Sequence, residues 1–302
     1  MNPPASPTPR LAGRTVLVTG SGTGIGRHHA LRLAAEGAAV VVNDLAPRPG
    51  GADAAQEVAD EITAAGGTAV VAHADVSRWE EAERLVRSSV EAFGHLDVVV
   101  NNAGILRDAL LVSMSEAEWD AVMAVHLKGH AAVMHHAAVY WREQSKAGRP
   151  VRASIVNTTS TSGLFGNAGQ ANYAAAKAGI IGLTLTAALE LARYGVRSNV
   201  LVPAARTAMT EGVPALRELM KAPEDPDAFD GWHPAHVSTY VAWLAGADCP
   251  VNGSVVYASG HAVRPVQTYF RTAGIEAPGR PLTLEELDEA VPPLVDKLVP
   301  RA

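Results

Sequence analysis

Short apolar runs rich in β-branched residues alternate along this chain with longer stretches whose apolar positions recur at helical spacing. The runs are TVLVT (15–19), AVVVN (39–43), TAVVAH (68–73), LDVVVN (96–101), ASIVNT (153–158), VRSNVLV (196–202) and SVVYAS (254–259). They lack the polar alternation of half-exposed strands, so most are expected to be covered on both faces, as strands of a parallel sheet are. Helical periodicity falls between them at about 25–36, 53–65, 78–93, 115–146, 170–194 and 234–246. This succession predicts a single α/β domain, doubly wound around a seven-stranded parallel sheet.

Interruptions of the pattern mark the boundaries. Residues 1–12, opening on the Pro-rich MNPPASPTPR, read as a disordered tail. Between the sixth and seventh runs, residues 206–232 carry Pro214, Pro223 and Pro226 and break the alternation. An insertion there overhangs the carboxyl edge of the sheet, where ligands bind in this architecture. The domain is expected to span 13–260. Residues 261–302 form a C-terminal extension ending in a short amphipathic helix, TLEELDEAVPPLVDKL, with Thr283 and Glu286 spaced as a capping box.

Composition narrows the function. The chain has 302 residues, 48% of them hydrophobic, enough for one large core, and a formal charge of −6. Nucleic-acid and acidic-membrane surfaces need clustered Lys and Arg, so neither partner is expected. The one cysteine, Cys249, has no partner for a disulfide or a metal-binding pair, which fits a reducing cytoplasmic setting. The eleven histidines show no metal-ligand spacing, and no metal is expected.

Candidate chemistry begins after the first strand, in Thr19-Gly20-Ser21-Gly22-Thr23-Gly24-Ile25-Gly26. Glycines between a strand and a helix let the backbone approach a pyrophosphate at the helix N-terminus. Asp44 ends the second strand, 24 residues beyond Gly20, near the offset at which a carboxylate accepts hydrogen bonds from an adenosine ribose. A carboxylate there repels a 2′-phosphate. Thr23, Leu45 and Ala46 supply no opposing cation, although Arg27 and Arg48 are near in sequence. The expected cofactor is therefore NAD.

Tyr173 and Lys177, four apart, share one helix face. An ammonium stabilises phenolate, so Lys177 is expected to draw Tyr173 down from its ordinary value of about 10. The phenol can then exchange a proton with an alcohol or carbonyl oxygen. Ser160 ends the fifth strand run thirteen residues earlier, where its hydroxyl can hold the same oxygen.

With TGSGTGIG at 19–26, Asp75-Val76, NNAG at 101–104, Ser160, Tyr173 and Lys177 in this order, the chain resembles the short-chain dehydrogenase/reductase family from about Gly13 to Gly260. The resemblance implies a Rossmann-type fold and an NAD-dependent oxidoreductase interconverting a secondary alcohol and a ketone. It implies that Ser160, Tyr173 and Lys177 are catalytic and that Lys177 also holds the nicotinamide ribose. Asp75 and Val76 should border the adenine, Asn102, with Ala103 and Gly104 beside it, should help hold the cofactor, and Thr207 should face the carboxamide. Two positions depart from the family. His126 stands where an Asn usually supports a proton-relay water, and reads as a packed helix histidine or a proton shuttle. Ala204 replaces the usual Gly after Pro203.

VVVNDL (40–45), NNAGILRD (101–108) and VHLKGH (125–130) resemble the branch holding the (3R)-hydroxyacyl-CoA dehydrogenase part of peroxisomal multifunctional enzymes and related hydroxysteroid dehydrogenases. A 3-hydroxyacyl thioester or a steroid alcohol is the substrate this implies. An NADPH-linked 3-ketoacyl reductase, a polyol dehydrogenase and a non-catalytic NAD-binding protein are the alternatives. Leu164, Phe165, Met209 and Trp232 are candidates for pocket wall or core. Helices 115–146 and 170–194 are apolar on more than one face, which predicts a homodimer or homotetramer.

Overall fold

The structure is a computed structural model that describes residues 9–207, 210, 214–225, 227–267, 281 and 283–295. The apolar runs form strands β1 (Thr15–Thr19), β2 (Ala39–Asp44), β3 (Thr68–His73), β4 (Val98–Asn101), β5 (Ala153–Thr158), β6 (Val196–Pro203) and β7 (Val255–Ala258), followed by β8 (Val263–Pro265). The sheet order is β3-β2-β1-β4-β5-β6-β7-β8. All neighbours pair in parallel except β7 and β8, which are antiparallel. The fold is thus the expected doubly wound α/β type, with eight strands in place of seven. The added strand is three exposed residues closed by Pro265, reached through a turn in which Ser259 N–H donates to the Ala262 carbonyl. So short a segment ending in Pro carries no period-2 signal.

β-branched residues fill the centre of the sheet because both faces are covered. Val16, Val18, Val40, Val42, Val98 and Val100 pack under α1 (Gly24–Ala35), α2 (Ala54–Ala64) and, further along the chain, helix Ala235–Ala245. Leu17, Val41, Val99 and Ile155 face α3 (Trp79–Phe93), α5 (Gly129–Lys146) and α7 (Ala171–Leu191) on the other side. The expected helix 115–146 is in fact α4 (Glu116–Met123), a single π turn (Ala124–Lys128) and α5. A short α6 (Thr161–Phe165) precedes α7, and α8 (Pro214–Leu219), α9 (Ala235–Ala245) and α10 (Leu284–Val295) complete the set.

Helix α7 and the turn after it, Ala171–Tyr194, are long and apolar enough by composition to cross a membrane. The cause is local: α7 buries Ile180, Ile181, Thr184, Ala187 and Ala188 within the domain. Residues 9–12, which the sequence places in a disordered tail, form a turn with Leu11 fully buried and its N–H donated to the Glu36 carbonyl. One apolar side chain suffices to dock them. Residues 1–8 lie outside the described residues. The chain divides into two compact units, Met1–Val266 and Gln267–Ala302. In the second, Thr283 and Glu286 cap each other at the start of α10, with each backbone N–H donating to the other's side chain.

The strand order reverses between β1 and β4, so the loops leaving their carboxyl ends, Gly20–Thr23 and Asn102–Gly104, diverge around a crevice. Every strand-end residue discussed below lies on that edge.

Candidate active site

The glycine loop is built for close approach. Gly20 and Gly24 have φ of 61° and 55°, the left-handed region that disfavours side chains. A Cβ on Gly22 would come within 2.8 Å of Asp44 Oδ2, and one on Gly26 would overlap the Gly20 carbonyl and the Asn102 amide. Thr23 stands at the N-cap of α1 but makes no side-chain cap bond, which leaves the first-turn N–H groups for an external acceptor. Space beside Gly24 is open to 4 Å. These residues fit a pyrophosphate. Ser21 does not face it: the hydroxyl is buried and donates to the Val18 carbonyl at 2.8 Å, which braces the loop. Ile25 packs its side chain onto the core beneath α1.

Asp44 is fixed by main chain. Oδ2 accepts the Gly22 N–H at 2.9 Å and Oδ1 the Leu45 N–H at 2.8 Å, so the carboxylate sits against the loop. Arg27, a neighbour by sequence, is drawn into an ion pair with Glu61.

After β4, Asn102 Nδ2 donates to the Thr19 and Gly20 carbonyls at 3.1 and 3.0 Å, while the Thr19 hydroxyl accepts the N–H groups of Asn102 and Ala103. Asn102 therefore supports the glycine loop from behind. Ala103 touches the same loop, since a Cβ on Gly20 would meet its Cα at 2.7 Å. Thr19 was overlooked as a functional position, although it opens the TGSGTGIG motif. Asp75 accepts from the Ser77 N–H and hydroxyl and so shapes the turn into α3; Val76 beside it is buried. Thr207, half-buried after β6, exchanges hydrogen bonds with Thr210. Met209 lies outside the described residues. Phe165 is 72% exposed, whereas Leu164 packs on the apolar cluster of β6 and β7.

Ser160, Tyr173 and Lys177 are brought together. Ser160 follows β5 as the N-cap of α6, its Oγ accepting the Ser162 N–H at 3.2 Å. α6 lies hard against α7: a Cβ on Gly163 would meet the Lys177 backbone at 2.8 Å. Lys177 is buried, 5.5 Å from the centre of the Tyr173 ring, and its Nζ donates to the Thr158 carbonyl at 2.7 Å. Asn172 pins the start of α7, with Nδ2 donating to the carbonyls of Arg107 and Glu118. Gln170 donates to Asp108 and accepts from Ser162 and Asn167. This Asp108–Gln170 link, also missed, carries no sequence signal because its members lie 62 residues apart.

The electrostatics correct one expectation. Burial pushes the Tyr173 phenol above its ordinary value, Ser160 pulls it down by hydrogen bonding, and the Asp108 carboxylate pushes it up again. Lys177 is not among the groups that shift the phenol, and burial brings its own ammonium down to about 7. His126 is buried too. Desolvation, then the charge of Lys177, lowers it to about 3 against the opposing bond to Ile105. Among the described residues no group of three or more His, Cys, Asp or Glu is placed to hold a metal ion.

Comparison with known proteins follows the same outline. The short chain dehydrogenase family model matches residues 14–217. Hydroxyacyl-CoA dehydrogenase ChsB1 of Mycobacterium tuberculosis is 46% identical over 267 residues, 87% of this chain and 82% of its own. Peroxisomal multifunctional enzyme type 2 of Drosophila melanogaster is 43% identical over 82% of this chain and 39% of its own length. The crystal structure of a short chain dehydrogenase from Mycobacterium avium superposes with a TM-score of 0.82 at 46% identity, covering 95% of both chains.

Proposed function

Because the chain belongs to the short-chain dehydrogenase/reductase family and is an oxidoreductase of CH–OH groups that uses a nicotinamide dinucleotide, we propose that it is an NAD-dependent 3-hydroxyacyl thioester dehydrogenase. The reaction rests on one observation, the meeting of Ser160, Tyr173 and Lys177 at the carboxyl end of β5. Preference for NAD is supported by Asp44, whose locked carboxylate opposes a 2′-phosphate, and by Arg27, whose charge is already taken by Glu61. The thioester is supported by the 46% identity to a protein named a hydroxyacyl-CoA dehydrogenase.

When bound, the nicotinamide ring supplies the hydride acceptor or donor. The side chains manage the proton. Ser160 holds the substrate oxygen, and Tyr173 takes the hydroxyl proton in oxidation and returns it in reduction. Lys177, held by Thr158, borders the phenol and would hold the ribose hydroxyls of the bound cofactor. The loop Gly20–Gly26, braced by Asn102 and flanked by Ala103 and Gly104, would cradle the dinucleotide, with Asp75 and Val76 toward its adenine and Thr207 toward its carboxamide. A homo-oligomer in the cytoplasm, with no nucleic-acid, membrane or metal partner, completes the reading.

The test is NAD reduction, followed by the absorbance of the reduced nicotinamide, with 3-hydroxyacyl-CoA esters, steroid alcohols and polyols side by side. Highest kcat/KM on the thioester supports the proposal, and a preference for either other class overturns the substrate. Tyr173→Phe is expected to lose at least about a hundredfold in turnover, the scale of a missing acid–base group, while still quenching its tryptophan fluorescence with NADH. Wild-type turnover in that variant would remove the phenol from the mechanism.

A further inference from the structure

His126 lies in the π turn between α4 and α5, a helical defect that recurs at functional sites. Three contacts locate its ring. Nε2 is 3.0 Å from the Ile105 amide nitrogen and 2.8 Å from the Ile105 carbonyl oxygen, so either neutral tautomer bonds one main-chain group of that residue. A Cβ on Gly104 would overlap Cε1 and stand 3.2 Å from both ring nitrogens, so the imidazole fills the space that the glycine leaves. The ring also stands edge-on to Tyr173, with centroids 5.1 Å apart and planes at 88°. Nδ1 is buried, and no group of the described residues hydrogen-bonds it. Nε2, the ring nitrogen that the main chain holds, is committed to Ile105.

We propose that His126 is a positioning residue, not a proton carrier: it keys into Gly104, bonds Ile105 to fix the turn bordering the dinucleotide crevice, and sets the angle of the Tyr173 ring. This rests on the reading that the crevice takes the dinucleotide and Tyr173 moves the proton. The surrounding titratable groups agree. Burial, and after it the charge of Lys177, keeps both His126 and His130, one turn further on, in the neutral form through the working range. Gly104 is then required for a reason its motif does not reveal, since a methyl group there would collide with the imidazole.

The experiment couples the two positions and reads NADH dissociation constants alongside the pH profile of kcat in His126→Ala, His126→Gln, Gly104→Ala and the Gly104→Ala/His126→Ala double variant. His126→Ala is expected to weaken NADH binding and lower kcat, each by about tenfold, with the titration midpoints unmoved. His126→Gln, which keeps a donor and an acceptor, recovers most of the loss. Gly104→Ala weakens NADH binding by about tenfold when the imidazole is present and by less than about twofold when it is gone. Equal damage from Gly104→Ala in both backgrounds, or a titrating limb lost in His126→Gln, overturns the proposal. If His126→Ala does not fold, the His126→Gln profile decides. The binding arm needs no turnover, so it separates failure of this inference from failure of the assigned reaction.

Discussion

At the scale of single residues, Asp44 makes the sharpest prediction. Each carboxylate oxygen accepts a backbone N–H, so the charge is held in place at the loop whatever its surroundings. Like charges brought together cost several kcal/mol. Asp44→Ala is therefore expected to raise the ratio of NADPH to NADH affinity by at least about tenfold, measured by fluorescence quenching with each nucleotide; an unchanged ratio would assign the preference elsewhere. Gly22→Ala disturbs the same contact from the loop side. Its Cβ, 2.8 Å from Oδ2, displaces the carboxylate and weakens binding of both nucleotides. The identities of these residues were legible because each obeys a local rule: glycines in the turn between a strand and a helix, an acid at a strand end, Tyr and Lys one helical turn apart. Their electrostatics were not. The upward shift of Tyr173 comes from burial and from Asp108, 65 positions away in sequence and adjacent only after folding.

At the scale of elements, the contact of α1 with α9 contributes to the behaviour in acid. His29 is fully buried there, its Nδ1 2.8 Å from the Ser238 hydroxyl and its Nε2 without a hydrogen-bond partner among the described residues. Desolvation lowers it from 6.5 to about 3. Its neighbour His28 falls to about 4, again by burial first and then by the charges of His233 and Arg27. A histidine whose folded value is depressed stays neutral while the unfolded chain takes up a proton. Stability is thus complete above pH 6.5 and declines as pH falls toward the folded values, by about 1.4 kcal/mol per pH unit for each such group. His29→Gln is expected to keep the Ser238 bond and flatten this decline, seen as a smaller drop in Tm between neutral and acidic buffer. A drop as steep as wild type would show that other groups govern it. The elements themselves were largely readable, since β1, β3 and β5 match their apolar runs end to end. The π turn was not, because an added residue in a continuous helix leaves the apolar period nearly intact. Helix α6 escaped because five residues give no period at all, and so Ser160 read as a strand end when it caps a helix.

For the whole molecule, the outstanding feature is apolar surface left uncovered. Leu110, Leu111 and Val112, consecutive in the loop beyond β4, are 60, 73 and 94% exposed, and Leu189 on α7 is 83% exposed. Scattered exposed leucines need no explanation, but three adjacent apolar side chains form the kind of patch that marks an interaction surface. The helices that carry or flank these positions are the two whose sequences are apolar on more than one face, and the same chain supplies an identical surface in every copy. These patches support the proposed homodimer or homotetramer, since self-complementary patches close most simply by symmetry. Light scattering at micromolar concentration is expected to return a multiple of the 31.5 kDa chain mass. Paired Leu111→Glu and Val112→Glu substitutions, at two side chains that are themselves exposed, should lower that multiple and leave circular dichroism and Tm close to wild type. A monomer in the unsubstituted protein would mean that these residues serve another partner, and oligomers untouched by the two charges would move the interface to the Leu189 end of α7.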